Sequence, residues 1–257
     1  MPKLRNLSIV TLEDLVKAPY ASIVCYPRPS ETELQNRITE LSYLGIDALE
    51  FSGKASAFSV PVLGKGYVGI VVVAYVHGER YALKMRRIDA DRIDLKHEAE
   101  MLKKANAVGV GPKFVAVSNN FLLSQLVDSD LLADWLETHN DQTLVRKVLV
   151  DILEQCWRLD ETGLDHGELS KAPKHLLVDK AQKPFIVDFE TASVERKVIN
   201  VTSVCQFLFM GNSPVAKIIA ETFGEKNRSE KIKALQNYKK NRVRANFEAL
   251  LKVCFLT

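Results

Sequence analysis

The residues best suited to chemistry begin at Leu63-Gly64-Lys65-Gly66-Tyr67-Val68-Gly69-Ile70-Val71, where three glycines fall in G-x-G-x-x-G order. Missing side chains let a backbone approach a polyphosphate closely and turn its N–H groups toward it. A dinucleotide-binding version of this order runs from a strand into a helix. Here the strand-forming Ile70-Val71-Val72-Val73 follows instead. That excludes the dinucleotide reading and leaves a hairpin lid over phosphates, or a glycine-rich hairpin without a ligand. One hairpin later comes Tyr81-Ala82-Leu83-Lys84-Met85. A lysine within an apolar strand is costly to bury unless it is paired or meets an anion. Alternation puts Lys84 and Ala82 on one face, where the small Ala82 leaves room for a flat base and the ammonium reaches phosphate. A partner follows in Lys96-His97-Glu98-Ala99-Glu100-Met101-Leu102. Glu98 lies beside the apolar stripe Leu95, Met101, Leu102 and Ala105 at helical spacing, so it can turn inward to hold Lys84, whereas Glu100 lies on another face.

These side chains need a sheet to carry them, and residues 58–127 are strand-rich. Residues 58–63, 69–76 and 81–85 read as strands, with His77-Gly78-Glu79 as a turn in which glycine supplies a positive φ. Residues 94–105 read as an amphipathic helix that stops at Gly109-Val110-Gly111-Pro112. Residues 113–117 and 121–127 complete five strands and one helix. Ahead of them, residues 1–57 form a small α/β extension. Residues 12–16 read as a short helix and 21–26 as a strand. Ser30 caps a helix through Leu34, Ile38, Leu41 and Leu44, with Glu33 completing a capping box and Gly45 ending it. Residues 47–51 return as a strand, and Asn36 and Arg37 are expected on the exposed helix face. The extension is either a winged-helix-like module or packing material for the next domain. Residues 128–257 are mainly helical, at 131–137, 144–160 and beyond Asn200, with short strands at 176–178 and 184–187.

A glycine-rich hairpin, an Ala-x-Lys strand and a Glu-bearing helix in a five-stranded lobe resemble the amino-terminal lobe of protein kinases. The later motifs resemble RIO-type and other atypical kinases of archaea, including lipopolysaccharide-kinase-like relatives. The resemblance runs from about residue 58 to about residue 210. It implies an α+β, two-lobed protein-kinase-like fold that binds ATP in a cleft: an N-lobe of a five-stranded antiparallel sheet plus helix (58–127), and a mainly helical, truncated C-lobe (128–257). On this resemblance Gly64, Lys65, Gly66 and Gly69 cover the phosphates, Val71, Ala82 and the connection 125–127 surround adenine, and Lys84, held by Glu98, grips phosphate. The stretch Gly163-Leu164-Asp165-His166-Gly167-Glu168-Leu169-Ser170 looks like the catalytic-loop pattern H-G-D-L-S, whose aspartate orients the acceptor hydroxyl. Glu168 stands where that aspartate is expected. It reaches one methylene farther, and a displacement of ~1 Å at a catalytic group can cost ~100-fold. Asp165 is the second candidate for the role. The family's magnesium-ligating asparagine falls on Pro173, which offers no ligand, and the apolar strand residues begin only after His175. The loop therefore looks two residues longer, with His175 in the asparagine-like place. Imidazole suits Mg²⁺ poorly, so a phosphate contact, Mn²⁺, or a simple hydrogen-bonding role all stay open for His175. Lys171 and Lys174 either stabilise a transferring phosphoryl group or face solvent. In Phe185-Ile186-Val187-Asp188-Phe189-Glu190 an apolar strand delivers Asp188 at its end, like the D-F-G metal site, and its oxygens suit Mg²⁺. No A-P-E-like segment follows, and only about ten residues separate Asp188 from the helix at Asn200, so no regular activation loop is expected.

The whole chain bounds these readings. Its 257 residues fit one two-lobed domain, and 47% hydrophobic with 26% charged residues is ordinary globular composition. A net charge of +3 suits anionic ligands without indicating nucleic acid. Cys25, Cys156, Cys205 and Cys254 form no CxxC pair, which argues against zinc fingers and redox motifs and for buried, reduced thiols in a cytoplasmic protein. The start at residues 1–6 lacks an apolar stretch behind its charges, so no leader is expected. No apolar run approaches the ~18 residues that span a bilayer, and no membrane partner is expected. The basic stretch 231–244 is a solvated helix or a contact for RNA or a ribosomal particle. The expected function is an ATP- and Mg²⁺- or Mn²⁺-dependent serine/threonine protein kinase of RIO-like type acting on a hydroxyl acceptor. A small-molecule kinase and an ATP-binding pseudokinase or scaffold are the alternatives.

Overall fold

A computed structural model describes residues 8–224 and 227–254. The start at residues 1–6 and the Lys171 side chain, both read above, lie outside the described residues. The chain is α+β, with mostly antiparallel sheet, and divides into two units. Of the described residues, those up to Glu100 and Lys113–Val127 form the first; Met101–Pro112 and those from Asp128 onward form the second.

The first unit is built on β1 (Ser8–Thr11), α1 (Tyr20–Val24), α2 (Glu31–Tyr43), β2 (Ala48–Phe51), β3 (Ala55–Ala57), β4 (Val60–Val62), β5 (Gly64–Lys65), β6 (Gly69–Val76), β7 (Glu79–Arg86), the first turn of α3 (Lys96–Ala107), β8 (Phe114–Val117) and β9 (Phe121–Gln125). The main sheet runs β1-β2-β6-β7-β9-β8, with β5 also paired to β6. The β-branched run Val71-Val72-Val73 makes β6 its central strand. Its hairpin with β7 turns at His77 and Gly78, both at positive φ (51° and 83°), which matches the right-handed twist of the strands. The register sets Val71 opposite Lys84 and Val73 opposite Ala82. One face of the sheet carries Ile70, Val72, Leu83, Met85 and Phe121, which pack with Ile23, Val24 and Leu41 in one buried cluster. Burying each such side chain contributes ~1.5–3 kcal/mol. The other face carries Gly69, Val71, Ala82, Lys84 and Leu122, the last packed with Leu95 and Ala99.

Several expectations are corrected here. Residues 21–24 lie in helix α1 and 25–26 in the turn after it rather than in a strand, because Ala21, Ile23 and Val24 are the residues the helix buries and a run this short fits either period. Residues 58–63 are not one strand: Phe58 and Ser59, at φ 48° and 64°, make the turn between β3 and β4. Arg37 is not exposed but fully buried. Its Nη1 donates to Val24 O (2.8 Å) and Arg86 O (2.6 Å), its Nη2 to Asn120 Oδ1 (3.1 Å) and its Nε to Glu33 Oε1 (2.7 Å). A helix end and a strand end that would otherwise bury carbonyls without donors are thus tied to α2. Ser30 caps α2 as expected, its Oγ accepting from Glu33 N at 3.2 Å. Residues 8–57 share the sheet through β1 and β2, so the boundary expected at residue 57 falls inside this unit.

The second unit holds β10 (Ser129–Leu131), α4 (Leu132–Thr138), α5 (Gln142–Glu161), β11 (Leu176–Asp179), β12 (Pro184–Ile186), α6 (Asn200–Phe209), α7 (Pro214–Phe223), α8 (Arg228–Lys240) and α9 (Arg244–Val253), with β10-β11-β12 as a small sheet. Asp141 caps α5, accepting from Leu144 N at 2.7 Å. Val145, Val148, Leu149, Ile152 and Cys156 form its buried stripe at helical spacing. Trp157 stacks obliquely on Tyr238 (5.9 Å) and Phe247 (5.1 Å), which folds α8 and α9 onto α5. The basic stretch 231–244 ends at Arg244, which is bound to Glu154 (2.7 and 2.8 Å) and Glu248 (2.9 Å). All four cysteines are free and buried. Among the described residues no helix is long and apolar enough to cross a membrane.

Candidate functional site

In the first unit, strand alternation delivers Lys84 to the face opposite the hydrophobic cluster. Its Nζ meets both oxygens of Glu98, at 3.0 Å to Oε1 and 2.8 Å to Oε2. The two side chains are only 11% and 7% exposed. Glu98 sits in the first turn of α3, where the helix dipole favours a carboxylate. Glu100, two residues on, is exposed.

The glycines divide by role. A Cβ on Gly69 would lie 2.9 Å from Met85 O and 3.0 and 3.2 Å from Lys84 Cγ and Cε. Gly69 is therefore glycine because the Lys84 stem runs across it. Gly66 donates its N–H to Gly69 O at 2.8 Å, so the loop closes on itself through one of the groups expected to cradle phosphate. Gly64 pairs with Val71 and lies on the Lys84 face, as does Ala82. Lys65 does not. It pairs with Ile70, on the opposite face, and its Nζ stands 4.6 Å from the Tyr26 ring centre. Arg87 approaches the same ring at 4.9 Å.

In the second unit the loop 164–175 brings the remaining expected residues together. Glu168 Oε2 lies 3.1 Å from His175 Nε2, and His175 Nδ1 lies 3.7 Å from Asp188 Oδ2. One donor atom from each of the three falls within 4.8 Å of the others, close enough to hold a metal ion. His175 is placed by its backbone, its O accepting from Val187 N at 3.0 Å, one residue before Asp188. Asp188 takes φ 71°. A non-glycine residue held there is strained, and such strain clusters at functional sites.

Asp165 is not available as a base. Its Oδ2 binds Arg196 Nε (3.1 Å) and its Oδ1 accepts from Ile199 N (3.1 Å), while its backbone pairs with Ser193. Gly167, at φ 93°, is compulsory: a Cβ would meet Arg196 Nη2 at 2.5 Å and Thr191 Oγ1 at 2.9 Å. His166 lies beneath the cluster, edge-on to Phe189 (5.0 Å) and 5.5 Å from the His175 ring. Its Nε2 is 3.0 Å from Val187 O, and since a carbonyl only accepts, that nitrogen carries the proton. Burial pushes its pKa down to about 4, so the ring is neutral.

Sequence reasoning missed the polar frame behind this loop. Asn200 accepts from His166 N (2.8 Å) and donates to Leu164 O (2.7 Å) and Asp160 Oδ1 (2.8 Å). Asp160 also accepts from Asn200 N (2.9 Å) and Tyr238 Oη (2.8 Å), and burial raises its pKa despite these bonds. The signal was present: Asp160 and Asn200 are polar residues next to the apolar runs that open or close their helices.

No known protein-family model matches the chain. Over 81 residues it is 33% identical to the uncharacterized protein MJ1211 of Methanocaldococcus jannaschii, a match that spans 32% of this chain and 67% of the archaeal one. The chain belongs to the same family as that archaeal protein, whose name states no activity.

Proposed function

We propose that the protein binds ATP and transfers its γ-phosphate to a hydroxyl acceptor, as an atypical, RIO-like kinase of two-lobed fold. The observation that carries this reading is the Lys84–Glu98 pair, contacting through both carboxylate oxygens, with Lys84 set between the buried Leu83 and Met85 of β7 and Gly69 clearing its stem. A buried ion pair is a poor source of stability compared with apolar packing, which favours a functional reason for its presence. Lys84 grips phosphate, the hairpin of Gly64 and Gly69 lies along it, and Val71 and Ala82 present a small apolar surface to the base. Asp188 and His175 hold the divalent cation, which supplies charge neutralisation on the phosphates. Glu168 orients the acceptor hydroxyl.

The Glu168 contact with His175 favours a second reading, nucleotide binding without transfer, because the carboxylate that would meet the acceptor hydroxyl is already engaged by the imidazole. γ-Labelled ATP with Mg²⁺ or Mn²⁺ separates the two. Wild type is expected to bind ATP and label a protein or small-molecule acceptor; Lys84→Ala loses binding, and Glu168→Ala loses labelling alone. Binding with no labelling in either wild type or Glu168→Ala selects the second reading. ATP binding that Lys84→Ala leaves unchanged refutes both.

A further inference from the structure

Both ring nitrogens of His175 face a carboxylate, but not equivalently. Nε2 is at hydrogen-bonding distance from Glu168 Oε2, 3.1 Å. Nδ1 is buried, has no hydrogen-bond partner, and points toward Asp188 Oδ2 at 3.7 Å. The residue as a whole is 9% exposed. If Glu168 accepts from Nε2–H, Nδ1 carries a lone pair, and a lone pair aimed at a carboxylate is repulsive unless a cation lies between them. Two donors on a tetrahedral ion with bonds of ~2.1 Å stand ~3.4 Å apart, so the observed gap closes onto an ion with a small movement. Glu190 brings a further carboxylate oxygen within 4.8 Å of that of Asp188.

We infer that His175 Nδ1 and Asp188 bind a divalent transition cation, of the Co²⁺–Zn²⁺ class rather than Mg²⁺, with Glu168 as the outer carboxylate that fixes the imidazole. Carboxylate–histidine–metal relays orient the ring and raise its basicity, and loss of the outer carboxylate typically costs ~10–100-fold in metal affinity. Imidazole suits these ions, whereas Mg²⁺ demands oxygen. The inference deepens the nucleotide reading, and rests on it only for what the ion does; the ion's binding is a property of the second unit's own residues. It also changes the part assigned to Glu168, from orienting an acceptor to positioning a ligand.

The test is a titration of the chelator-treated full chain with Co²⁺ and with Mg²⁺, without nucleotide, followed by calorimetry and by the visible Co²⁺ spectrum. Wild type is expected to bind one Co²⁺ with an imidazole-ligated spectrum and to prefer it over Mg²⁺. His175→Asn puts an amide oxygen near the Nδ1 position in place of the nitrogen and should reduce the Co²⁺/Mg²⁺ preference by at least ~10-fold. Glu168→Gln should weaken Co²⁺ by ~10-fold or more while the spectrum keeps its nitrogen ligand. Circular dichroism verifies that each variant is folded, and Asp188→Asn serves as the second ligand variant. Absence of Co²⁺ binding to wild type overturns the inference. An unchanged metal preference in His175→Asn overturns it equally. ATP binding measured in parallel keeps the readings apart: Co²⁺ bound without ATP binding leaves this site standing and removes the kinase proposal.

Discussion

Replacing Lys84 by methionine keeps the stem volume over Gly69 but removes the ammonium from the Glu98 carboxylate. Both side chains are largely buried, at 11% and 7% exposure. Removing one partner of a buried pair leaves an uncompensated charge and costs ~3–5 kcal/mol; partial solvent access places this site at the lower end, ~3 kcal/mol. Glu98→Gln takes the carboxylate charge away from Lys84, which is long enough to swing its ammonium toward water, so ~2 kcal/mol is expected. The double variant removes both charges and should fall within ~1 kcal/mol of wild type, since apolar or neutral replacement of a whole pair is often neutral. The coupling energy is then ~4 kcal/mol, above the ~0.5–3 kcal/mol common for neighbouring residues. Urea unfolding at pH 7 followed by far-ultraviolet circular dichroism measures it; tryptophan fluorescence does not, because Trp135 and Trp157 both lie in the second unit. Single variants within ~0.5 kcal/mol of wild type, the range of an exposed surface pair, would refute the buried-pair reasoning. A double variant no better than the worse single would refute the pairing itself.

Other parts of the structure give equally direct expectations. Arg37→Leu leaves Val24 O and Arg86 O buried without donors and should cost at least ~2 kcal/mol, at ~1–3 kcal/mol per stranded group, with Arg37→Lys recovering only part because it lacks the fork; urea midpoints decide it. Gly167→Ala forces a Cβ against Arg196 and Thr191 at a left-handed φ and should lower stability by ~2 kcal/mol or more; a melting temperature equal to wild type would contradict the close approach. Stability should fall on acidification through His166. Its folded pKa, about 4, lies below the ordinary 6.5, so the unfolded chain binds the extra proton first. Its contribution is intact above pH ~6.5 and is lost between ~6.5 and ~4, by ~3 kcal/mol at most. A pH series of urea midpoints should show this slope flattened in His166→Gln.

The sheet around Lys84 was legible because each feature there is local. The run of β-branched residues fixes β6, His77-Gly78 fixes its turn, and alternation then carries Lys84 and Ala82 to one face. Glu98 was legible because helical spacing separates it from Glu100 by 200° of arc. The same parity argument puts the Lys65 side chain on the face opposite Lys84, since it pairs with Ile70 and not with Val71. Arg37 and α1 were not legible, because their places depend on carbonyls and apolar surface supplied from Arg86, Asn120 and the core of the sheet. No pattern within residues 20–37 records those partners.

The loop 164–175 shows how a departure from a motif is absorbed. A longer carboxylate at position 168 and a histidine at 175 each depart from the kinase pattern when taken alone. Placed together, they contact one another at 3.1 Å, so the longer carboxylate of glutamate meets the imidazole. The frame behind them is rigid enough to hold such an arrangement. Asn200 ties the His166 backbone to Asp160, and Asp165 is bound on both oxygens. Glu168 alone among the loop's carboxylates is left half-exposed at its edge. With Asp165 and the His166 backbone committed to that frame, the Glu168–His175–Asp188 row is the place where chemistry, by metal or by proton, can be varied without refolding the loop.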